Sequence, residues 1–229
     1  MSFLTAEWRH LVMLNYRVEP GLLEPLVPRG TVLDPHGGHH WCSLVGFLFL
    51  ETRLKGVPVP FHQDFEELNL RFYVRRGDKR GVVFVKELVP KWAIATVARL
   101  AYNENYVSLP MGHRLDERVT YTFGADGELS ARPVGEPRGL QPGSHEEFIA
   151  EHYWGYARQR DGGTVEYEVQ HPPWRVQDAV EGRFIGDVAE LYGAELAETL
   201  RGPPYSSFVA EGSAISVEPG RRLTEAEMS

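Results

Sequence analysis

The sequence predicts an α+β domain that is mainly β. Short strand-like runs recur about every ten residues between turn signals, helical spacing is confined to a few segments, and one stretch reads as a strand with two different faces. That stretch is Phe65-Glu66-Glu67-Leu68-Asn69-Leu70-Arg71-Phe72-Tyr73-Val74. Side chains alternate along a strand with a period of two. Glu67, Asn69, Arg71 and Tyr73 therefore share one face, and Leu68, Leu70, Phe72 and Val74 share the other. The apolar set suits a core. The polar set is an ordered row of acid, amide, guanidinium and phenol, which facing a cavity would offer a proton-transfer group and a carboxylate clamp.

The other elements follow in order. Trp8 to Val18 alternates loosely and reads as a strand or a short helix, and Leu22 to Val27 as a brief helix stopped by Pro28. Thr31 to Asp34 and Trp41 to Leu54 read as strands joined by the turn Pro35-His36-Gly37-Gly38. The second is almost wholly apolar, as expected of a strand covered on both faces. Gly56 to His62 is a loop. Arg76 to Gly81 is a hairpin turn, and Val82 to Leu88 is the strand that returns beside the central one. Lys91 to Tyr102 has helical spacing and small alanines, Asn103-Glu104-Asn105 ends it, and Tyr106 to Met111 is extended. Arg118 to Phe123 and Leu129 to Pro133 form a hairpin, and Glu136 to Gly143 is the one internal loop that could mark a boundary. Ser144 and Glu147 fit a capping box opening a short helix. Tyr153 to Arg160 and Thr164 to Gln170 form a further hairpin, followed by a bent strand from Trp174 to Phe184. Asp187 to Leu200 reads as one helix, Ser213 to Val217 as the last strand, and the charged residues after Gly220 as a frayed end.

The chain has 229 residues, of which 42% are hydrophobic and 24% charged, an ordinary globular composition, and the length suits one domain of barrel type or two small ones. A formal net charge of -8 argues against nucleic acid or an anionic membrane as partner. Cys42 is the lone cysteine, so no internal disulfide is available, and no transmembrane run or signal-peptide pattern is seen. A cytoplasmic location is expected. Gly-rich phosphate loops, nucleophile elbows and dinucleotide fingerprints are absent from the sequence, so no cofactor is expected. His36, His39 and His40 straddle a diglycine turn without a nearby cysteine or paired carboxylate, which reads as a solvated loop and not as a metal site. Cys42, opening an apolar strand, reads as a buried inert thiol. Tyr153, Trp154, Tyr156 and Trp174 are expected to pack the barrel flank and to offer a contact for a homo-oligomer.

The string Glu67-x-Asn69-x-Arg71-x-Tyr73-Val74 resembles that of the DUF2071 (YqjF-like) family. Ala98-Arg99, Phe148-x-x-x-x-Tyr153-Trp154-Gly155-Tyr156 and His171-Pro172-x-Trp174 resemble its other signatures in the same order, over nearly the whole chain. That family is similar in fold to acetoacetate decarboxylase. The resemblance implies a single domain over residues 1–229, built on a strongly curved antiparallel β-barrel with a few flanking helices and an internal pocket, but no general activity. The decarboxylase carries a Schiff-base lysine in a Gly-Tyr-Pro-Lys-Lys element after an Ala-rich, Arg-containing segment. The corresponding stretch here, Ala93 to Tyr106, reads Asn103-Glu104-Asn105 and holds no lysine. An iminium route is therefore not expected, and Lys86, the sole alternative amine, is expected to face solvent.

Glu67 reads as a general acid/base whose pKa burial would raise, or else as the ion-pair partner of Arg71. Arg71 reads as a bidentate carboxylate clamp, with Asn69 and Tyr73 as hydrogen-bonding walls. Arg99, Tyr102 and Asn103 enter as substrate-binding candidates only because they occupy the region where the similar fold carries its chemistry. His62 and Asp64 could line a pocket mouth, while His145, His152 and His171 have no partners that the sequence identifies. Two functions stay open: a cofactor-independent enzyme on a small oxo- or hydroxy-carboxylate (a lyase, decarboxylase or dehydratase), or a protein that binds such a ligand without converting it.

Overall fold

The computed structural model describes residues 2–58, 60, 62–90 and 106–228. The expected helix over Lys91–Tyr102, and with it Arg99, Tyr102 and Asn103, lies outside the described residues. The strands are β1 (Leu4–Val18), β2 (Val32–Leu33), β3 (His40–Leu54), β4 (Val57–Pro58), β5 (Phe65–Arg76), β6 (Lys79–Val89), β7 (Tyr106–Ser108) and β8 (Met111–Leu115). They continue as β9 (Val119–Phe123), β10 (Gly127–Pro133), β11 (Arg138–Gly139), β12 (Trp154–Arg158), β13 (Thr164–Gln170), β14 (Arg175–Ile185), β15 (Ser206–Val217) and β16 (Arg221–Arg222). The helices are α1 (Pro20–Leu23), α2 (His145–Ala150), α3 (Val188–Tyr192), α4 (Ala194–Arg201) and α5 (Glu225–Met228).

Neighbouring strands run in the order β13, β12, β6, β5, β3, β1, β15, and β15 pairs back onto β13 through Val217–Val169 and Ser216–Gln170. This closes a strongly curved barrel. It is antiparallel except where β12 meets β6 at Gly81 and Val82 and where β7 meets β6. From β15 a second arm, β14–β10–β9–β8, leaves the barrel and folds over its outside. Tyr121 and Leu129 of that arm press on Gly46 of β3, where any Cβ would collide with both side chains.

Strands covered on both faces read as continuous apolar runs, and β3 is buried from Trp41 to Phe49 for that reason. One of its faces (Cys42, Leu44, Leu48) joins Leu68, Leu70, Phe72 and Val74 in an outer core shared with the arm and with α3 and α4. The other (Trp41, Val45, Phe47, Phe49) points into the barrel with Leu11, Met13, Phe148 and Trp174.

Four expectations need correction. Asp187 to Leu200 is two helices, because Gly193 takes φ +90° and ends the first turn. The last strand begins at Ser206, not Ser213: Gly212 takes φ +76° and lets the strand continue opposite the kink at His10. The C-terminus is tied down, not frayed. Arg221 bonds Glu166 (3.0 Å) and Glu227 (2.9 Å), and Leu223 and Met228 are buried. Finally, Trp154 and Trp174 are not flank residues, since Trp154 lines the interior cavity and Trp174 belongs to the inner core.

At Gly212 a Cβ would overlap the Trp8 carbonyl oxygen, and φ is positive. Gly212→Ala is therefore expected to lower unfolding free energy by about 1–3 kcal/mol in urea titration, whereas Gly139→Ala, with open space at its Cβ position, should change it little.

Candidate functional site

The barrel interior holds a cavity of about 80 Å³, room for roughly five to eight water-sized groups at ~10–15 Å³ each. Its walls are mostly apolar, with Trp8, Phe47, Phe49, Phe84 and Trp154 prominent, and four polar residues of two adjacent strands enter it: Glu67, Asn69, Arg71 and Glu87. All four are buried.

The central strand delivers its polar row to the inside as period-two alternation requires. Asn69 Nδ2 donates to Glu67 Oε1 at 3.0 Å. Arg71 does not pair with Glu67. Its Nη2 donates to the Ile149 carbonyl at 3.1 Å, so the capped helix α2 acts as the stop against which the guanidinium rests. Ser144 Oγ accepts from the Glu147 N–H, and the Glu147 carboxylate reaches the Gly143 N–H, which fixes where α2 begins. Arg71 Nε and Asn69 Oδ1 are buried and without a hydrogen-bond partner among the described residues.

Tyr73 lies beneath Arg71, outside the cavity lining, with the guanidinium carbon 5.8 Å from its ring. Its hydroxyl is engaged with Ser43 Oγ at 2.6 Å, and Ser43 Oγ donates to Asn15 Oδ1 at 2.6 Å. Since the single Ser43 proton goes to Asn15, Tyr73 is the donor to Ser43. Asn15 Nδ2 continues the chain to Ser206 Oγ (3.0 Å), which meets His145 Nε2 at 2.9 Å. This row crosses four adjacent strands in register, Ser206–Asn15–Ser43–Arg71. Burial pushes the Tyr73 hydroxyl up, against an opposing pull from Arg71.

Glu87 escaped the sequence reading for a definable reason. Strict alternation from Val82 and Phe84 would turn Lys86 inward. A β-bulge between Leu70 and Arg71 adds one residue on β6, so Lys86 stands opposite Leu70 on the outer face and Glu87 opposite Asn69 on the inner one. Lys86 is half-buried and does not line the cavity.

His152 was also missed as a site residue. It directly follows α2 and Glu151, is buried, and lines the cavity. Its Nε2 is 3.7 Å from Asp34 Oδ2, and Asp34 in turn accepts from Arg80 Nε at 2.9 Å. Burial pushes the imidazole down to about 4, with Arg80 and Arg71 adding to the effect. No sequence signal links His152 to Asp34, since only barrel closure brings them together.

Other candidates lie elsewhere. Asp64 accepts from the Glu51 N–H and His62 contacts the Pro60 carbonyl, both outside the cavity lining. His36 is half-buried and stacks on Phe148 with ring centroids 4.8 Å apart, while His39 is exposed. Cys42 is buried and pushed up to about 12 by that burial, which fits an inert thiol. Among the described residues, no group of three or more His, Cys, Asp or Glu is placed to hold a metal ion, and no helix is long and apolar enough to cross a membrane.

The backbone and cavity together define an acetoacetate decarboxylase-like fold. Superposition on acetoacetate decarboxylase from Legionella pneumophila gives a TM-score of 0.67 at 10% identity, over 96% of this chain and 87% of that one. The enduracididine biosynthesis enzyme MppR, complexed with pyruvate, gives 0.66 at 12% identity, over 99% and 92%. Within that fold the chain belongs to the DUF2071 family of uncharacterized conserved proteins, whose model matches residues 5–214. The uncharacterized protein YqjF of Bacillus subtilis (strain 168) is 26% identical over 200 residues, covering 84% of this chain and 82% of its own.

The buried imidazole has a consequence for stability. Its ordinary value is 6.5 and its folded value about 4, so between these pH values the unfolded chain binds a proton that the folded chain refuses. The stability it supports is complete above pH 6.5 and is lost as pH falls toward 4. Urea midpoints are expected to report a loss on the order of 3 kcal/mol across that window, and His152→Gln should flatten the upper part of the slope.

Proposed function

We propose that the barrel cavity binds a small carboxylate, with Arg71 holding the carboxylate group and Glu67 moving a proton on the bound molecule. The observation that carries this reading is the pair of buried, partnerless atoms, Arg71 Nε and Asn69 Oδ1, on a cavity whose remaining walls are mostly apolar. A buried donor left unmade costs about 1–3 kcal/mol, and a ligand carboxylate aligned with the free edge of the guanidinium would recover it. Asn69, already donating to Glu67, keeps its carbonyl oxygen as a free acceptor on the cavity wall. Tyr73 supports Arg71 from below. The decarboxylase neighbours and the pyruvate bound to MppR support a small oxo- or hydroxy-carboxylate as ligand class.

The reaction class consistent with these groups is cofactor-independent proton transfer: decarboxylation, dehydration or enolisation. Residues 1–229 would act as one domain, and the buried, unpaired Cys42 fits a cytoplasmic setting. A second reading, capture of the ligand without turnover, is favoured by one observation: the bulge in β6 turns Lys86 to the outer face, away from the cavity.

A thermal-shift screen of the full chain against short oxo- and hydroxy-carboxylates tests the proposal. A ligand at 100 times its Kd should add about 2.7 kcal/mol of stability, and Arg71→Ala should abolish the shift. No shift with any carboxylate, beside an Arg71→Ala protein that merely melts lower, would sink the proposal. Given a hit, Glu67→Gln separates the two readings: turnover lost with binding and folding intact supports proton transfer, and a wild type without turnover supports capture.

A further inference from the structure

We propose that His152, with its tautomer set by Asp34, is the hydrogen-bond acceptor that makes the cavity prefer short hydroxy-carboxylates over their oxo counterparts. This rests on the carboxylate reading of the cavity and narrows it.

The side chain of His152 is 1% exposed and borders the cavity. The rings of Tyr73 (4.7 Å between centroids) and Phe148 (5.1 Å) hold its plane. Neither of its ring nitrogens has a hydrogen-bond partner among the described residues. The Asp34 carboxylate lies 3.7 Å from Nε2, and Asp34 is itself held by Arg80 at 2.9 Å and approached by Arg75 at 3.9 Å. A carboxylate beside an imidazole nitrogen draws the ring proton to that nitrogen. Nε2 therefore carries the hydrogen, and Nδ1 is left with a lone pair.

Arg71 and Arg80 both disfavour a second proton on the ring, as does its burial. His152 thus stays a neutral acceptor near neutral pH, and Glu67, Glu87, Tyr106 and Tyr167 are the other titratable side chains that line this cavity. With its carboxylate on Arg71, a hydroxy acid can point its hydroxyl hydrogen at Nδ1. The matching oxo acid brings a carbonyl oxygen to the same place, lone pair against lone pair, and leaves Nδ1 buried without a donor. A site built this way discriminates strongly, because the wrong ligand leaves its polar atoms unpaired.

Isothermal titration calorimetry of the full chain with both lactate enantiomers, pyruvate and propionate at about pH 7 reads the preference directly. One lactate enantiomer is expected to bind about tenfold or more tighter than pyruvate. In Asp34→Asn the side-chain amide can donate to Nε2 and move the ring proton to Nδ1, so the lactate-to-pyruvate ratio should collapse or invert. If that variant does not fold, nitrogen-15 histidine spectra of the wild type decide the tautomer: a protonated Nε2 and bare Nδ1 on His152 are expected. Pyruvate binding as tightly as lactate, an Asp34→Asn protein with an unchanged ratio, or a protonated Nδ1 in the wild type would overturn this inference alone. Failure of lactate, pyruvate and propionate all to bind would overturn the carboxylate reading and this inference with it.

Discussion

A strand buried on both faces that carries four polar side chains on one of them imposes the central constraint on this molecule. Inside a closed barrel there is little water to satisfy Glu67, Asn69, Arg71 and Tyr73, and an unmet buried polar group is costly. The surrounding elements meet that demand only in part. Tyr73 is absorbed into the row through Ser43, Asn15 and Ser206, which crosses the inner face of four strands. Arg71 finds one carbonyl at the end of α2, and Asn69 finds Glu67. On the cavity wall, Arg71 Nε, Asn69 Oδ1 and both ring nitrogens of His152 stay without a hydrogen-bond partner among the described residues. Buried polar atoms without partners on the wall of a cavity are the groups a bound molecule could satisfy.

The same constraint explains why the sheet must close. Leu68, Leu70, Phe72 and Val74 need an apolar cover outside, and the arm with α3 and α4 provides it. The inner face needs isolation from solvent, and the β13–β15 pairing seals the ring. Closure depends in turn on β15 running unbroken from Ser206 to Val217, which Gly212 permits by taking a conformation that L side chains resist. Near the far end of the chain, the buried Glu166 carboxylate gathers Arg76, Lys79 and Arg221 and anchors β16 and α5. Those cations hold its carboxyl below the usual range even though burial pushes the other way.

Local periodicity made β3, β5 and the capping box of α2 legible in the sequence, because each is decided within a few residues. The features that escaped are those set by relations between distant segments or by single-residue irregularities. Glu211-Gly212 looks like a break unless the kink at His10 on the partner strand is known. Gly193 splits a helix whose apolar spacing runs through it. The β6 bulge inverts the alternation after Phe84, so Glu87 occupies the inward position that period-two counting assigns to Lys86. His152 sits between a helix and a strand, where no periodicity applies, and gains its meaning only from Asp34 across the fold.

That last pair of irregularities bears most on chemistry. The agreement with the decarboxylase neighbours, a TM-score of 0.67 at 10% identity, is an agreement of backbones, and a backbone does not choose a reaction. The choice falls to which side chains the strands turn inward. One added residue in β6 puts the Glu87 carboxylate, and not the Lys86 amine, on the cavity wall opposite Asn69. One histidine between α2 and β12 adds a buried imidazole to the same wall. A wall made of carboxylates, an amide, a guanidinium and an imidazole offers groups that bind anions and carry protons, and none of its described lining residues is a lysine.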